Sequence, residues 1–141
     1  MITQTMCTSF KLELMKAIHD FTPSTGDTFK LALYTSSASL GADTTAYTTT
    51  GEASGTGYSA GGIALTVSVL TTGNGHAYAS FSDAVFSTVT LTACAGLIYN
   101  SSKANRAVAV LDFGGNKTAT AQNFTVQMPT ADSSSSILGV D

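Results

Sequence analysis

Residues able to do chemistry are few and dispersed along this chain. Two histidines, His19 and His76, two cysteines, Cys7 and Cys94, and nine carboxylates are what 141 residues offer for proton transfer, nucleophilic attack or metal binding. Nucleophilic catalysis needs a hydroxyl or thiol held beside a base. Any of the seventeen serines fits that description, and no spacing singles one out. His19-Asp20 is an adjacent pair rather than two ligands on one helical face, and the acids never gather, so no metal set is formed. No two carboxylates stand out as a glycosidase pair. Both histidines read as solvated or helix-terminal groups. Gly55-Thr56-Gly57-Tyr58-Ser59-Ala60 fits the dinucleotide fingerprint as a string, but that fingerprint lies between a buried strand and a helix. Here a polar Thr-rich segment precedes it and an alternating apolar run from Ile63 follows, so it reads as a flexible glycine loop. The sequence therefore predicts no catalytic, cofactor-binding or metal residue, and no enzyme.

The rest of the composition is that of a chain built to fold and pack. Threonine (23), serine (17) and glycine (13) are abundant, only 11% of residues are charged and 43% are apolar. This predicts a single domain over 1–141, long enough to bury about two-thirds of its unfolded surface. A net charge of -3 and six scattered basic residues argue against nucleic acid, since phosphate neutralisation needs clustered Lys and Arg. No run of about 18 apolar residues predicts a membrane helix. The first ten residues lack the basic and apolar regions of a secretory signal peptide. Without a secretory route Cys7 and Cys94 are expected to be reduced thiols.

The elements follow from periodicity. Phe10, Leu14, Ala17, Ile18 and Phe21 recur at helical spacing, with Ser9 as cap and Thr22-Pro23 as terminator, predicting a helix over 9–21 docked through that stripe. Period-two alternation then predicts strands at 29–34, 63–70, 76–82, 84–91, 93–100, 107–113 and 123–128. Thr71-Thr72-Gly73-Asn74-Gly75 signals a tight hairpin, and Gly114-Gly115-Asn116 a turn between the last two strands. Phe29, Phe81, Phe86, Phe113 and Phe124 fall at inward-facing positions. About seven short strands with one N-terminal helix predict a mainly β fold, an antiparallel sandwich or barrel-like sheet. Residues 35–62, poor in large aliphatics, are expected to form a long surface loop of the kind that carries function. Tyr34, Tyr47, Tyr58 and Tyr99 lie in this loop or at strand ends, and Tyr47 and Tyr58 are candidate contact residues. Beyond a serine run at 133–136, expected to be a flexible tether, the apolar stub Ile137, Leu138 and Val140 is a candidate contact element. It either adds to a neighbour's sheet edge or folds back on its own sheet.

Two stretches carry a resemblance. Phe29-Lys-Leu-Ala-Leu-Tyr-Thr-Ser-Ser-Ala-Ser-Leu-Gly-Ala-Asp-Thr-Thr-Ala-Tyr47, followed by Glu52-Ala-Ser-Gly-Thr-Gly-Tyr-Ser-Ala-Gly-Gly62, resembles a family of small virion proteins of tailed bacteriophages. Ala95-Gly-Leu-Ile-Tyr-Asn100 with Arg106-Ala-Val-Ala-Val-Leu-Asp-Phe-Gly-Gly115 is similar to the same family's C-terminal half, and His19-Asp20-Phe21 to its N-terminal part. The chain departs from the pattern in lacking a Trp near 81–86. The resemblance implies a non-enzymatic virion component made in the bacterial cytoplasm, with other virion proteins as partners. Capsid decoration leads, with a neck, tail or fibre-attachment part as the alternative within that class. A small domain repeated over a lattice is expected to be a symmetric homo-oligomer, a trimer first. From another class, a carbohydrate- or receptor-binding module is the competing expectation, although Trp platforms are absent.

Overall fold

The computed structural model describes residues 1–129, 132 and 136–140. Among the described residues it forms one helix and eight strands: β1 (Thr5–Met6), α1 (Thr8–Met15), β2 (Phe29–Tyr34), β3 (Ile63–Ala64), β4 (Val67–Gly73), β5 (His76–Phe81), β6 (Ala84–Asn100), β7 (Arg106–Val126) and β8 (Leu138–Val140). The strands make two antiparallel sheets, a larger one ordered β1-β7-β6-β2-β3 and a smaller one ordered β4-β5-β8, and they do not close into a barrel. The mainly β, antiparallel expectation with one N-terminal helix is met.

β6 and β7 are the frame. Seventeen and twenty-one residues long, they pair from Ala84↔Val126 to Asn100↔Arg106. Two strands expected on either side of Thr92 are one, because Thr92 itself pairs with Thr118 and the ladder with β7 carries on through it. The turn expected at Gly114-Gly115-Asn116 is instead a bulge: Asp112 faces Ala95, Lys117 faces Ala93, and the four residues between loop out opposite Cys94. Gly114 (φ 77°) and Gly115 (φ 143°) take up the positive dihedrals this needs. The chain does not reverse there because the same partner strand stays available on both sides. In contrast, the hairpin at Asn74-Gly75 forms as expected, both residues at positive φ and Gly73 facing His76.

The predicted helix over 9–21 is shorter. It starts at Thr8 behind Cys7, and Ser9 makes no cap. It ends at Met15, with Lys16 as the C-cap and Ala17 beyond it at φ 57°. The Ala17 and Ile18 amides then donate to the Leu14 and Glu13 carbonyls at 3.1 Å each, the Schellman arrangement that stops a helix. Residues 18–21 leave the helix axis and return across it. Phe10, His19, Phe21, Phe29 and Phe81 form one aromatic cluster, with Phe21 stacked on Phe29 at 4.3 Å between centroids. Since Phe29 belongs to β2 and Phe81 to β5, this cluster joins the two sheets.

Truncating Phe10, 1% exposed, against Leu12, 54% exposed, tests the docking. Phe10→Ala is expected to lower unfolding free energy by about 3–5 kcal/mol, and Leu12→Ala by less than about 0.5 kcal/mol. Equal midpoints in chemical denaturation would show that the helix is not packed on the sheets.

Candidate functional site

Three places in the fold gather the residues that the sequence singled out. The first is a polar chain beneath α1. The Schellman reversal brings His19 back onto the helix, where its Nε2 lies 2.8 Å from Glu13 Oε2. The Asn100 amide nitrogen sits 2.9 Å from His19 Nδ1 and donates to Asp27 Oδ2 at 2.8 Å, while Asn100 Oδ1 accepts from the Ser102 amide. Asp27 can only accept there and Ser102 can only donate, so the amide orientation is fixed. Asn100 therefore donates to His19 Nδ1, and the neutral ring donates from Nε2 to Glu13. Burial opposes the ionised Asp27, but hydrogen bonds from Asn100 and the Asp20 amide, with Lys103 nearby, hold its carboxyl below the usual range. His19 is not solvated, as its spacing suggested. Its side chain is fully buried and that of Glu13 is 7% exposed. Both ring nitrogens are occupied, and the buried carboxylate–imidazole pair ties α1 to the residues beneath it. Cys7, buried beside it, is pushed up to about 11 by burial and by the Glu13 charge.

The second place is a carboxylate ringed by phenols. Glu52 Oε2 accepts from the Tyr47 hydroxyl, and Glu52 Oε1 from the Tyr58 hydroxyl and the Gly61 amide, all at 2.7 Å. The Tyr58 hydroxyl also accepts from the Leu33 amide at 3.0 Å, and the Tyr99 hydroxyl donates to the Gly61 carbonyl at 2.7 Å. Tyr47 stacks on Tyr99 at 4.9 Å, and the Tyr34 hydroxyl donates to Thr48 O at 2.6 Å. Residues 35–62 hold no named strand or helix and many are exposed, but the segment is fastened to the sheet at several points. Ala38, Leu40 and Ala53 are buried, Glu52 bridges Tyr34, Ala46 bridges Arg106 and Thr56 bridges Thr90. The glycines of the fingerprint-like string serve this close fit: a Cβ at Gly55 would collide with the Thr90 carbonyl oxygen, and one at Gly57 (φ 84°) would lie 2.6 Å from that of Thr88. The loop lies against β6, which leaves no cradle for a pyrophosphate. Burial first, then hydrogen bonding to Glu52 and its charge, raise the Tyr47 and Tyr58 phenols above the ordinary range; the Leu33 and Gly61 backbone contacts work the other way.

The third place is an apolar groove between α1 and β8. Its floor holds Met6, Phe10, Leu14 and Leu138, and its rim Met15, Leu70 and Val140, which are 87%, 48% and 53% exposed. β8 pairs with β5 of its own chain, Leu138 facing Ala79 and Val140 facing Ala77. Ser133 to Ser135 of the expected tether lie outside the described residues. Of the candidate contact residues, Leu138 is buried, Ile137 half-buried and Val140 exposed, while Tyr47 and Tyr58 are half-buried with their hydroxyls turned onto Glu52. The five belong to two separate places. Sequence reasoning passed over Glu13, Glu52 and Asn100, because nothing in their spacing tells that a distant chain segment closes on them.

Among the described residues no three His, Cys, Asp or Glu side chains come together as a metal set, and no helix is long and apolar enough to cross a membrane. Comparison with family models, curated proteins and solved structures finds no match.

Two measurements test the two polar places. A phenol whose folded pKa is raised contributes stability that is complete below its unfolded value, about 10, and is lost as pH climbs through the folded value. Melting temperature is thus expected to fall steeply above about pH 10, with a shallower slope in Tyr58→Phe; parallel slopes would contradict the buried phenols. Cys7, buried and raised, is expected to resist alkylation at neutral pH until the chain unfolds. Prompt labelling of native Cys7 would show that the α1 end opens.

Proposed function

We propose that the chain is a non-enzymatic structural protein of a tailed-bacteriophage virion, placed in many copies as a decoration protein on the major capsid lattice. The observation that carries the reading is the apolar groove beside the edge of β8, which has no partner strand among the described residues. Exposed apolar patches with an unpaired strand edge beside them suit a surface that assembly will cover. The resemblance along 29–47, 52–62, 95–100 and 106–115 agrees with it. So does the use made of the ionisable residues, since Glu13, His19, Asp27 and Glu52 hold the fold together.

The occupant of that groove is a second copy of the chain. The smaller sheet ends in β4 on one side and β8 on the other. Pairing β8 of one copy with β4 of the next joins unlike edges, a head-to-tail contact that gives a ring when its rotation closes and a filament when it does not; the ring proposed here is a trimer. Val140 and Leu70 then meet across the joint, and avidity over many rings provides adhesion to the shell. A neck, tail or fibre-attachment position uses the same joint with a different symmetry.

Sedimentation equilibrium is expected to give three times the 14.4 kDa chain mass for the wild type and the single-chain mass for Val140→Lys. A monomeric wild type would contradict the ring. Quantitative mass spectrometry of purified particles tests the placement: hundreds of copies support capsid decoration, about six or twelve move it to a neck or tail, and none rejects the virion reading.

A further inference from the structure

The bulge in β7 opens a cleft that neither the groove nor the ring uses. Of the five phenylalanines at inward-facing strand positions, Phe29, Phe81, Phe86 and Phe124 are buried, and Phe113 alone stays half-exposed. It lies at the start of the four looped-out residues, and its ring meets that of Phe124 at 6.0 Å. Beside them is a cleft of about 500 Å3, walled by Lys117, Thr118, Asn123 and Gln127, within the roughly 300–1,000 Å3 of small-ligand sites.

The polar groups around this cleft are only partly spent inside the protein. Thr118 shares its hydroxyl with Thr92 at 2.9 Å, and Asn123 Oδ1 accepts the Thr88 amide at 3.0 Å. That leaves the Asn123 amide nitrogen and the whole Gln127 amide, both exposed, to face the cleft. Lys117 is exposed, and no carboxylate pairs with it among the described residues. A chain of net charge -3 therefore presents one unneutralised cation there.

We propose that this cleft binds an acidic oligosaccharide, a short chain of uronic-acid type. Sugar hydroxyls donate and accept, as do the amides and threonine hydroxyls on the walls. The C–H face of a pyranose ring suits the half-exposed Phe113 ring as an apolar platform. The Lys117 ammonium takes the sugar carboxylate in a charge-assisted hydrogen bond. A single cation is too few for a nucleic acid, which needs a row of phosphate contacts. The inference stands apart from the virion reading, because sugar binding by the isolated chain is measured without reference to copy number.

Amide NMR titration of the full chain with trigalacturonate tests it, with maltotriose and triglutamate as parallel probes. Trigalacturonate is expected to shift Phe113, Lys117, Thr118, Asn123 and Gln127 and to saturate below about 10 mM. Lys117→Gln, a surface change that leaves the fold intact, is expected to weaken it by about tenfold or more, and Phe113→Leu to weaken it while sparing the other shifts of the spectrum. Maltotriose is expected to bind more weakly, through the same residues. Absence of saturable shifts, affinity unchanged in Lys117→Gln, maltotriose binding as tightly as the acidic sugar, or triglutamate doing so, would each overturn the assignment.

Discussion

A carboxylate drawn partly out of water still needs donors, and the way residues 35–62 pack on the larger sheet depends on how the half-buried Glu52 obtains them. Left without partners, a polar group partly removed from water is destabilising. Tyr47, Tyr58 and Gly61 supply three, drawn from both sides of Glu52 in one continuous segment. To deliver them the segment has to curl round the carboxylate and lie against the sheet. Two consequences follow at the edge of β2. The two-residue β3 covers only Lys30 and Leu31. Further along, the Ala53 amide donates to the Leu33 carbonyl at 2.8 Å and the Tyr58 hydroxyl takes the Leu33 amide. A phenol and a loop thus complete the edge where a strand is missing.

The same logic governs the space beneath α1. Glu13 is buried on the helix face that packs inward, and the chain reverses at Ala17 so that His19 meets it and is itself met from the end of β6 by Asn100. Arg106 and Lys103, each 3.6 Å from a carboxylate oxygen and more than two-fifths exposed, add little, as surface pairs do. What holds both places is a set of short hydrogen bonds to neutral donors rather than ion pairs, which fits a chain with so few charges. The ionisable groups that are buried, Glu13 and His19, have their polar atoms taken up by hydrogen bonds within the fold. The apolar groove at β8 and the cleft in β7 are lined by other residues than these.

Much of the fold was legible because alternation is local. The strand at 29–34, the Asn74-Gly75 hairpin and the all-antiparallel class follow from neighbouring residues. The helix end was not, because the stripe of Phe10, Leu14, Ile18 and Phe21 is equally served by a shorter helix whose chain doubles back. The lengths of β6 and β7 were obscured by bulges at Thr88, Ala121 and 113–116, which locally imitate turns. The tyrosines stood out at strand ends, yet their common partner did not, because Glu52 is one of nine acids and only the closed structure selects it. A glycine-rich string looked like a loop for the opposite of the true reason: its glycines permit close packing, not freedom.

The central claim is that Glu52 fastens residues 35–62 to the sheet. Native-state hydrogen exchange in the wild type and in Glu52→Ala measures it most directly, read at the amides of Leu33, Ala53 and Gly61 against those of Ile98 and Val110 in β6 and β7. Loss of three hydrogen bonds to a charged acceptor is expected to speed exchange at the first set by about a hundredfold or more beyond any change at the second. Exchange at Leu33, Ala53 and Gly61 that stays in step with Ile98 and Val110 would contradict the account.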